Sequence, residues 1–261
     1  MFLGNWIMPN SAAIVRGAHT ILFDQALFKE PTEALFDAQA WPTHSALNEG
    51  RGTVHFVSDE RGSFLLKPFL RGGLVAKFVK DRYVFTGLLR TRMAREWSAL
   101  RTLRQCNLPV PLPVATCVTR KGLFYEGSTL YERIPKATSF REHLLRGTAT
   151  ADLFAAVGKM LAVFHNKGVF HPDLNAGNIL VAEDALYLID FDRFNACLQR
   201  SDARVVANLE RLKRSLEKLA VLDQDLLNDN WQALLEGHQS VAVSSAGVPP
   251  RAAFKLILDL Q

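Results

Sequence analysis

The chain has 261 residues, of which 48% are hydrophobic, and a formal net charge of +5 at pH 7. This length and hydrophobic content suffice for a sizeable core and exclude a globally disordered chain, so we expect one large domain or two lobes joined by a hinge. No apolar run approaches the roughly eighteen residues of a membrane-spanning helix, and the N-terminus lacks the basic and apolar regions of a signal peptide.

Taken in chain order, the sequence patterns predict strands first and helices later. The first forty residues offer only an apolar run, Thr20 to Phe23, and a possible helix over 31–40. Alternating prolines restrain residues 108–114 to an extended connector. The predicted strands cover 53–57, 63–69, 115–119, 128–134, 179–182 and 185–189, and the predicted helices cover 92–103, 140–145, 153–166 and 202–220. The order indicates an α+β fold with a β-rich lobe followed by an α-rich lobe.

Charge and cysteine content restrict the environment in which the protein works. Residues 61–104 hold eleven Lys or Arg and only two acids, a net charge of +9. Such a segment could meet phosphate groups, a membrane leaflet or nucleic acid, or it could be a solvated helix face combined with nucleotide-binding residues. The three cysteines, Cys106, Cys117 and Cys197, form no CxxC arrangement, which favours a reducing, cytosolic compartment.

A short polar loop carries the strongest functional signal. Asp173 is followed five residues later by Asn178, and Asp190 comes at the end of an apolar run. This spacing is typical of phosphoryl transfer, in which one carboxylate orients the acceptor hydroxyl and an Asn and a second Asp bind Mg²⁺. A capped turn would explain the first two residues but not the three-part spacing. His171 is expected to brace the loop through hydrogen bonds, with a direct catalytic role as the alternative.

The nucleotide-binding residues are less sharply defined by the sequence. Gly50 and Gly52 match part of a phosphate-covering glycine pattern, although they also suit a simple hairpin turn. The predicted strands over 53–57 and 63–69 would form a hairpin. Lys67 is preferred over Lys77 as the phosphate-binding lysine because it lies in this strand region, whereas Lys77 lies beyond the Gly72-Gly73 break. The ion-pair partner of this lysine should be Glu96, the only acid of its helix, unless Glu96 makes a surface pair within that helix.

A hinge that receives adenine through backbone groups is expected near the end of the predicted strand over 128–134. Glu132 and Ile134 are the residues assigned to it, and the lobe boundary is placed beside them, with an N-lobe over 1–134 and a C-lobe over 135–261.

These motifs resemble the lipopolysaccharide core kinases of Gram-negative bacteria. The resemblance extends over roughly residues 48–220 and is carried by the following motifs: His-x-Asp-Leu-Asn-x-x-Asn-Ile-Leu, Leu-Ile-Asp-Phe-Asp-Arg, Arg71-Gly72-Gly73, Thr91-Arg92, Glu96-Trp97 and Leu108-Pro109-Val110-Pro111. Asn175 stands where protein kinases carry lysine, and no Ala-Pro-Glu motif follows. The resemblance therefore implies a protein-kinase-like two-lobe fold but not a protein kinase with an activation loop.

The resemblance also implies a reaction and its partners. The expected activity is ATP- and Mg²⁺-dependent phosphorylation of the 4-hydroxyl of 3-deoxy-D-manno-octulosonic acid (Kdo) on Kdo-lipid A, by a peripheral protein at the cytoplasmic face of the inner membrane. Neither a nucleic acid nor an obligate protein partner is expected. The alternatives are a heptose kinase or small-molecule phosphotransferase of the same fold, and a catalytically inactive kinase-like binding module.

Overall fold

The computed structural model describes residues 10–49, 52–69, 83–183, 185–194, 198–219 and 224–241. The chain divides into two compact units. Of the described residues, the first unit comprises those up to 102 together with 111–133, and the second comprises 103–110 and those from 134 onward. No helix among the described residues is long and apolar enough to cross a membrane.

The first unit contains eight described strands and the start of one long helix. The elements are β1 Ser11–Arg16, β2 His19–Asp24, β3 Thr43–Glu49, β4 Gly52–Asp59, β5 Gly62–Pro68, β6 Tyr83–Val84, α1 Arg92–Gln105, β7 Pro113–Lys121 and β8 Phe124–Glu132. The strands form an antiparallel sheet in the order β1-β2-β7-β8-β5-β4-β3, with the short β6 also pairing with β8.

Alternation along the strands divides apolar side chains between the two faces of this sheet. In β2, Ile21 and Phe23 join the core beneath Trp41, whereas Leu22 between them packs with Trp97 of α1. This is the consequence of the two-residue side-chain period of a strand. One face is thus covered by α1 and the other by the segment that precedes β3.

The segment before β3 corrects one prediction. The helix predicted over 31–40 is wrong, because two short 3-10 turns, Glu33–Phe36 and Ala38–Ala40, stand in its place. Asp37 separates them in an extended conformation, and its side chain accepts a hydrogen bond from the Gln39 N–H. Such a local side-chain contact competes with the helical hydrogen bonds and ends the helix.

The second unit is mainly helical and contains a small sheet. Its elements are β9 Thr138–Ser139, α2 Phe140–Leu145, α3 Ala151–Asn166, β10 Ile179–Val181, β11 Leu186–Leu188, α4 Asp202–Glu217 and α5 Gln224–Gln239. The strands pair in the order β11-β10-β9. Phe140, Phe154, Phe164 and Phe191 are among its largest fully buried side chains. The chain is therefore α+β, as the sequence predicts.

Helices α3 and α5 approach each other closely where glycines lie at the contact. A Cβ atom on Gly158 of α3 would clash with the Leu234 carbonyl oxygen, and one on Gly237 of α5 would clash with the Ala155 carbonyl oxygen. The absence of these side chains lets the two backbones touch.

Candidate functional site

His171 fixes the start of the polar loop in the second unit. Its ring is buried, with 2% exposure, and its Nδ1 accepts a hydrogen bond from the Asp173 N–H at 3.1 Å. Its Nε2 lies 2.8 Å from the Ile189 carbonyl oxygen, which can only accept, so Nε2 carries the proton. Burial lowers the pKa of His171 below its ordinary value, while hydrogen bonding to Ile189 opposes that shift. A neutral imidazole therefore joins the loop to the segment that carries Asp190.

Two asparagine amides converge on the carbonyl oxygen of Asp173. Asn175 Nδ2 and Asn178 Nδ2 each donate to it at 2.9 Å, and Asn175 Oδ1 accepts from the Gly177 N–H at 2.9 Å. The short 3-10 turn Ala176–Asn178 begins at this cap. Asn175 thus closes the loop around the Asp173 backbone. This structural role is not predictable from the residue spacing.

Asp190 is brought next to Asn178 by the hairpin of β10 and β11. The Ile189 N–H donates to the Asn178 carbonyl oxygen at 3.0 Å, one residue before Asp190. Asp190 has a φ of 68°, a left-handed conformation that non-glycine residues seldom adopt and that is frequent at functional sites. The backbone therefore turns sharply after the strand, at Asp190, which carries the carboxylate.

The donor set of this region fits a Mg²⁺ ion. Because Asn178 Nδ2 is used on the Asp173 carbonyl, its Oδ1 is the amide atom suited to bind a cation. An amide oxygen and the Asp190 carboxylate are hard oxygen ligands of the kind Mg²⁺ prefers, and Mg²⁺ in kinases completes its shell with water and nucleotide phosphates. The oxygens present in the loop thus match the metal that the sequence predicts.

The Asp173 carboxylate faces solvent beside helix α4. Its side chain is 62% exposed, and Arg211 Nη1 lies 4.0 Å from Oδ1. Four residues further along α4, the Ser215 hydroxyl accepts from the Ala176 N–H at 3.2 Å. The carboxylate is consequently reachable by an acceptor hydroxyl, while α4 supports the loop that carries it. The polar positions of α4 were visible in its sequence pattern, but their target was not.

A second group of predicted residues lies in the first unit. Lys67 Nζ of β5 is 3.9 Å from Glu96 Oε1 of α1, and Glu96 is 1% exposed. The Tyr131 hydroxyl of β8 donates to Glu96 Oε2 at 2.9 Å. A buried carboxylate needs such partners because its desolvation is costly. The hydroxyl of Tyr131 was missed from the sequence, since its strand alternation marks it only as a core residue.

The predicted hinge residues lie at the end of β8 and just after it. The Glu132 N–H donates to the Leu112 carbonyl oxygen at 2.9 Å, and the Arg133 N–H donates to the Ser63 carbonyl oxygen at 3.0 Å. Both donors are therefore committed to the sheet, and Ile134 begins the second unit. Adenine recognition at this point would have to use other backbone groups than these two N–H donors.

Several residues named by the sequence analysis lie outside the described part of the chain. Gly50 and Lys77 are among them, whereas Gly52 is described as the first residue of β4 and its backbone pairs with Glu49. Among the described residues, Lys67 is a lysine beside Glu96, and its preference over Lys77 stays a prediction.

The positive charge of residues 61–104 is partly taken up inside the first unit. Arg101 Nη1 lies 2.9 Å from Asp24 Oδ2 in a buried ion pair, and Arg61 Nε donates to Asp59 Oδ2 at 2.8 Å. Arg92 donates to the Tyr83 hydroxyl at 2.9 Å. The net charge of the segment therefore overstates the charge that its described residues offer to an anionic surface.

Comparisons with known proteins match most of this chain, including the range that contains the loop around Asp173. Residues 39–238 match the model of the lipopolysaccharide kinase (Kdo/WaaP) family. A 3-deoxy-D-manno-octulosonic acid kinase of Vibrio vulnificus (strain YJ016) is 38% identical over 229 residues, covering 86% of this chain and 96% of the relative. A protein of the same name from Xanthomonas oryzae pv. oryzae (strain PXO99A) is 39% identical over 207 residues, covering 78% of this chain and 82% of the relative.

A solved structure of WaaP in complex with acyl carrier protein aligns with 88% of this chain and 98% of its own, at 16% identity and a TM-score of 0.47. The family model covers well over half of the chain, and the curated relatives match across most of their own length. The chain therefore belongs to the lipopolysaccharide kinase (Kdo/WaaP) family.

Proposed function

We propose that this protein transfers the γ-phosphoryl group of ATP to the 4-hydroxyl of Kdo on Kdo-lipid A. The observation that carries the proposal is the match of this chain to curated Kdo kinases at 38% and 39% identity over most of their length. Family membership supports kinase chemistry, and the relatives' shared name supports Kdo as the acceptor.

Asp173 is the residue we assign to the acceptor. Its exposed carboxylate would accept a hydrogen bond from the sugar hydroxyl, align the oxygen with the phosphorus and take up the proton as transfer proceeds. Its backbone cannot swing away easily, because the two asparagine amides hold its carbonyl oxygen. The loop thus combines a fixed backbone with an accessible side chain.

Asn178 and Asp190 would hold Mg²⁺, which when bound neutralises charge on the nucleotide phosphates. Lys67, kept in place by Glu96, is the residue we assign to phosphate binding in the first unit. These assignments give one common role to the ion pair, the left-handed φ of Asp190 and the closed asparagine turn.

We further propose that the protein works as a peripheral protein at the cytoplasmic face of the inner membrane. The support is chemical, because an acceptor with acyl chains resides in a bilayer and ATP is supplied from the cytoplasm. Co-sedimentation with vesicles that contain Kdo-lipid A tests this placement, and a protein that stays in the supernatant at every lipid concentration would contradict it.

The activity is tested with purified protein, radiolabelled ATP, Mg²⁺ and Kdo-lipid A, followed by mapping of the new phosphate. We expect label on the Kdo 4-hydroxyl. An acceptor panel that includes heptose-containing core saccharides and small-molecule alcohols distinguishes the alternatives, since transfer to heptose but not to Kdo would refute the proposal. Nucleotide binding without transfer to any acceptor would instead indicate an inactive kinase-like binding module.

The role of Asp173 is tested with the isosteric Asp173→Asn variant. We expect kcat to fall roughly 10²- to 10⁴-fold, the usual contribution of a positioned general base, while nucleotide binding persists. The exposed Asp152→Ala substitution on α3 is the control and should leave kcat unchanged. Near wild-type turnover in Asp173→Asn would show that another group orients the acceptor.

The lysine assignment is tested by comparing Lys67→Ala with Lys77→Ala. Loss of Lys67 removes the cation beside buried Glu96, so ATP binding should weaken and kcat should fall only in the first variant. Titration with a fluorescent ATP analogue measures the binding. The reverse result would move the phosphate-binding role to Lys77.

A further inference from the structure

A row of buried polar side chains crosses the second unit and ends at the polar loop that carries Asp173, here called the catalytic loop. It comprises His238 of α5, His165 of α3 and Asn208 of α4, which are 8%, 1% and 7% exposed. His238 Nε2 lies 2.9 Å from His165 Nδ1, and His165 Nε2 lies 3.1 Å from Asn208 Oδ1. Asn208 Nδ2 then donates to the His171 carbonyl oxygen at 2.9 Å.

The direction of every hydrogen bond in this row is determined by its last member. The His171 carbonyl oxygen only accepts, so the amide nitrogen of Asn208 faces it and the amide oxygen faces His165. His165 must then donate from Nε2. In its neutral form His165 has an unprotonated Nδ1, which accepts a hydrogen bond from His238 Nε2–H. The donors all point from α5 toward the catalytic loop, with a single arrangement of protons.

His165 is kept neutral by its surroundings. Burial lowers its pKa to about 4, and the charges of Arg200 and His238 act in the same direction, while the hydrogen bond to Asn208 opposes the shift. The Phe170 ring stacks on the imidazole with centroids 5.2 Å apart. The His165 imidazole is thus neutral at neutral pH, as the hydrogen-bond directions require.

Contacts near the loop hold only the ring of His171, and the row of buried polar side chains holds its backbone carbonyl as well. Hydrogen bonds to Ile189 and Asp173 hold the imidazole, whereas Asn208 holds the backbone carbonyl of the same residue. Asp173 follows two residues later, so a shift of this backbone would move the carboxylate. Geometry errors of about 1 Å at a reacting group can cost roughly 100-fold in rate.

We propose that Asn208 is a positioning residue for phosphoryl transfer, which holds the catalytic loop through the His171 carbonyl, and that His165 and His238 keep its amide correctly oriented. The inference rests on the proposed role of Asp173 in that transfer. It adds three residues from three helices to a loop whose proposed chemical groups all lie within residues 173–190.

The test compares variants that keep or remove single hydrogen bonds. Asn208→Asp preserves the size of the side chain and an acceptor for His165 but removes the donor to His171. For His165, Gln places a donor where Nε2 lies and Asn places its amide where Nδ1 lies, so His165→Gln retains the contact to Asn208 and His165→Asn loses it. All three are assayed for kcat, KM for ATP, thermal unfolding and hydrogen exchange of the peptide over residues 170–178.

We expect kcat to fall roughly 10- to 100-fold in Asn208→Asp and His165→Asn, with little change in KM for ATP, and to stay near wild type in His165→Gln. Exchange of the loop amides should rise in the first two variants only. Equal kcat in all three, or losses that follow the melting temperature rather than the retained donor, would overturn the inference. Wild-type protein without transfer to Kdo-lipid A would refute the proposed function, and in that case unchanged loop exchange in Asn208→Asp would also refute the positioning role.

Discussion

The buried His165 predicts a specific loss of stability in mild acid. Its pKa in the folded protein is lowered to about 4, against an ordinary value of 6.5, mainly because burial disfavours the charged imidazole. Between these two values the unfolded chain binds a proton at this position and the folded protein does not. His165 therefore does not reduce the free energy of unfolding above pH 6.5. As the pH falls from 6.5 toward 4, the free energy of unfolding decreases progressively.

The size of the effect follows from the two pKa values. Lowering the pH from about 7.5 to about 5.0 should remove about 2 kcal/mol of the free energy of unfolding through His165 alone. His171 and His238 also have lowered pKa values because of burial, so the whole protein should lose more than this amount. Most carboxylates stay ionised over this interval, which keeps the histidine contribution separable.

The assay is urea unfolding followed by far-UV circular dichroism at both pH values, for wild type and for His165→Gln. Glutamine does not titrate, so the variant should lose less stability than wild type on acidification, by about the amount calculated for His165. The difference between the two proteins isolates His165 from the other histidines. Identical losses in the two proteins would refute the lowered pKa of His165.

Two further predictions concern packing and a buried charge. Gly158→Ala should destabilise the protein by about 1 to 3 kcal/mol or more, because the new methyl group would meet the backbone of α5. The control Lys159→Ala changes an exposed residue and should cost less than about 0.5 kcal/mol in the same thermal melts. Equal melting temperatures of the two variants would contradict the close helix contact. Asp24→Asn removes the carboxylate that pairs with buried Arg101 and should cost about 3 to 5 kcal/mol in urea unfolding. Glu142→Gln removes a carboxylate from an exposed ion pair and should cost less than about 1 kcal/mol. Similar losses in the two variants would show that the first pair is not shielded from water.

Sequence patterns succeeded where structure depends on neighbouring residues. The strands predicted over 53–57 and 63–69 form the hairpin of β4 and β5, and α3 ends at Asn166 as predicted. Gly168, two residues later, has a φ of 70°, a conformation that favours glycine after a helix end. In both cases the signal and the element occupy the same short stretch of chain.

The failures have a matching physical cause. Strands β1 and β3 were not predicted, since an edge strand owes much of its stability to the partner it pairs with rather than to its own pattern. The helix predicted over 31–40 failed because one aspartate hydrogen bond outweighed helix propensity. Helix α5 was also missed, although it lies against α3 through the two glycines at their contact.

The candidate site shows the same division between local and distant information. Asp173, Asn178 and Asp190 could be proposed from spacing because a turn and a hairpin place groups that are close in sequence around one backbone. The supports of that turn come from residues 165, 208 and 238, and each of these reads in its own helix as an ordinary polar residue. A buried hydrogen bond contributes only when both partners are present, so the pattern of one helix cannot reveal it. Positions that hold a catalytic loop from a distance are for this reason identified by donor and acceptor geometry, and their substitution is informative even where the catalytic groups themselves are already assigned.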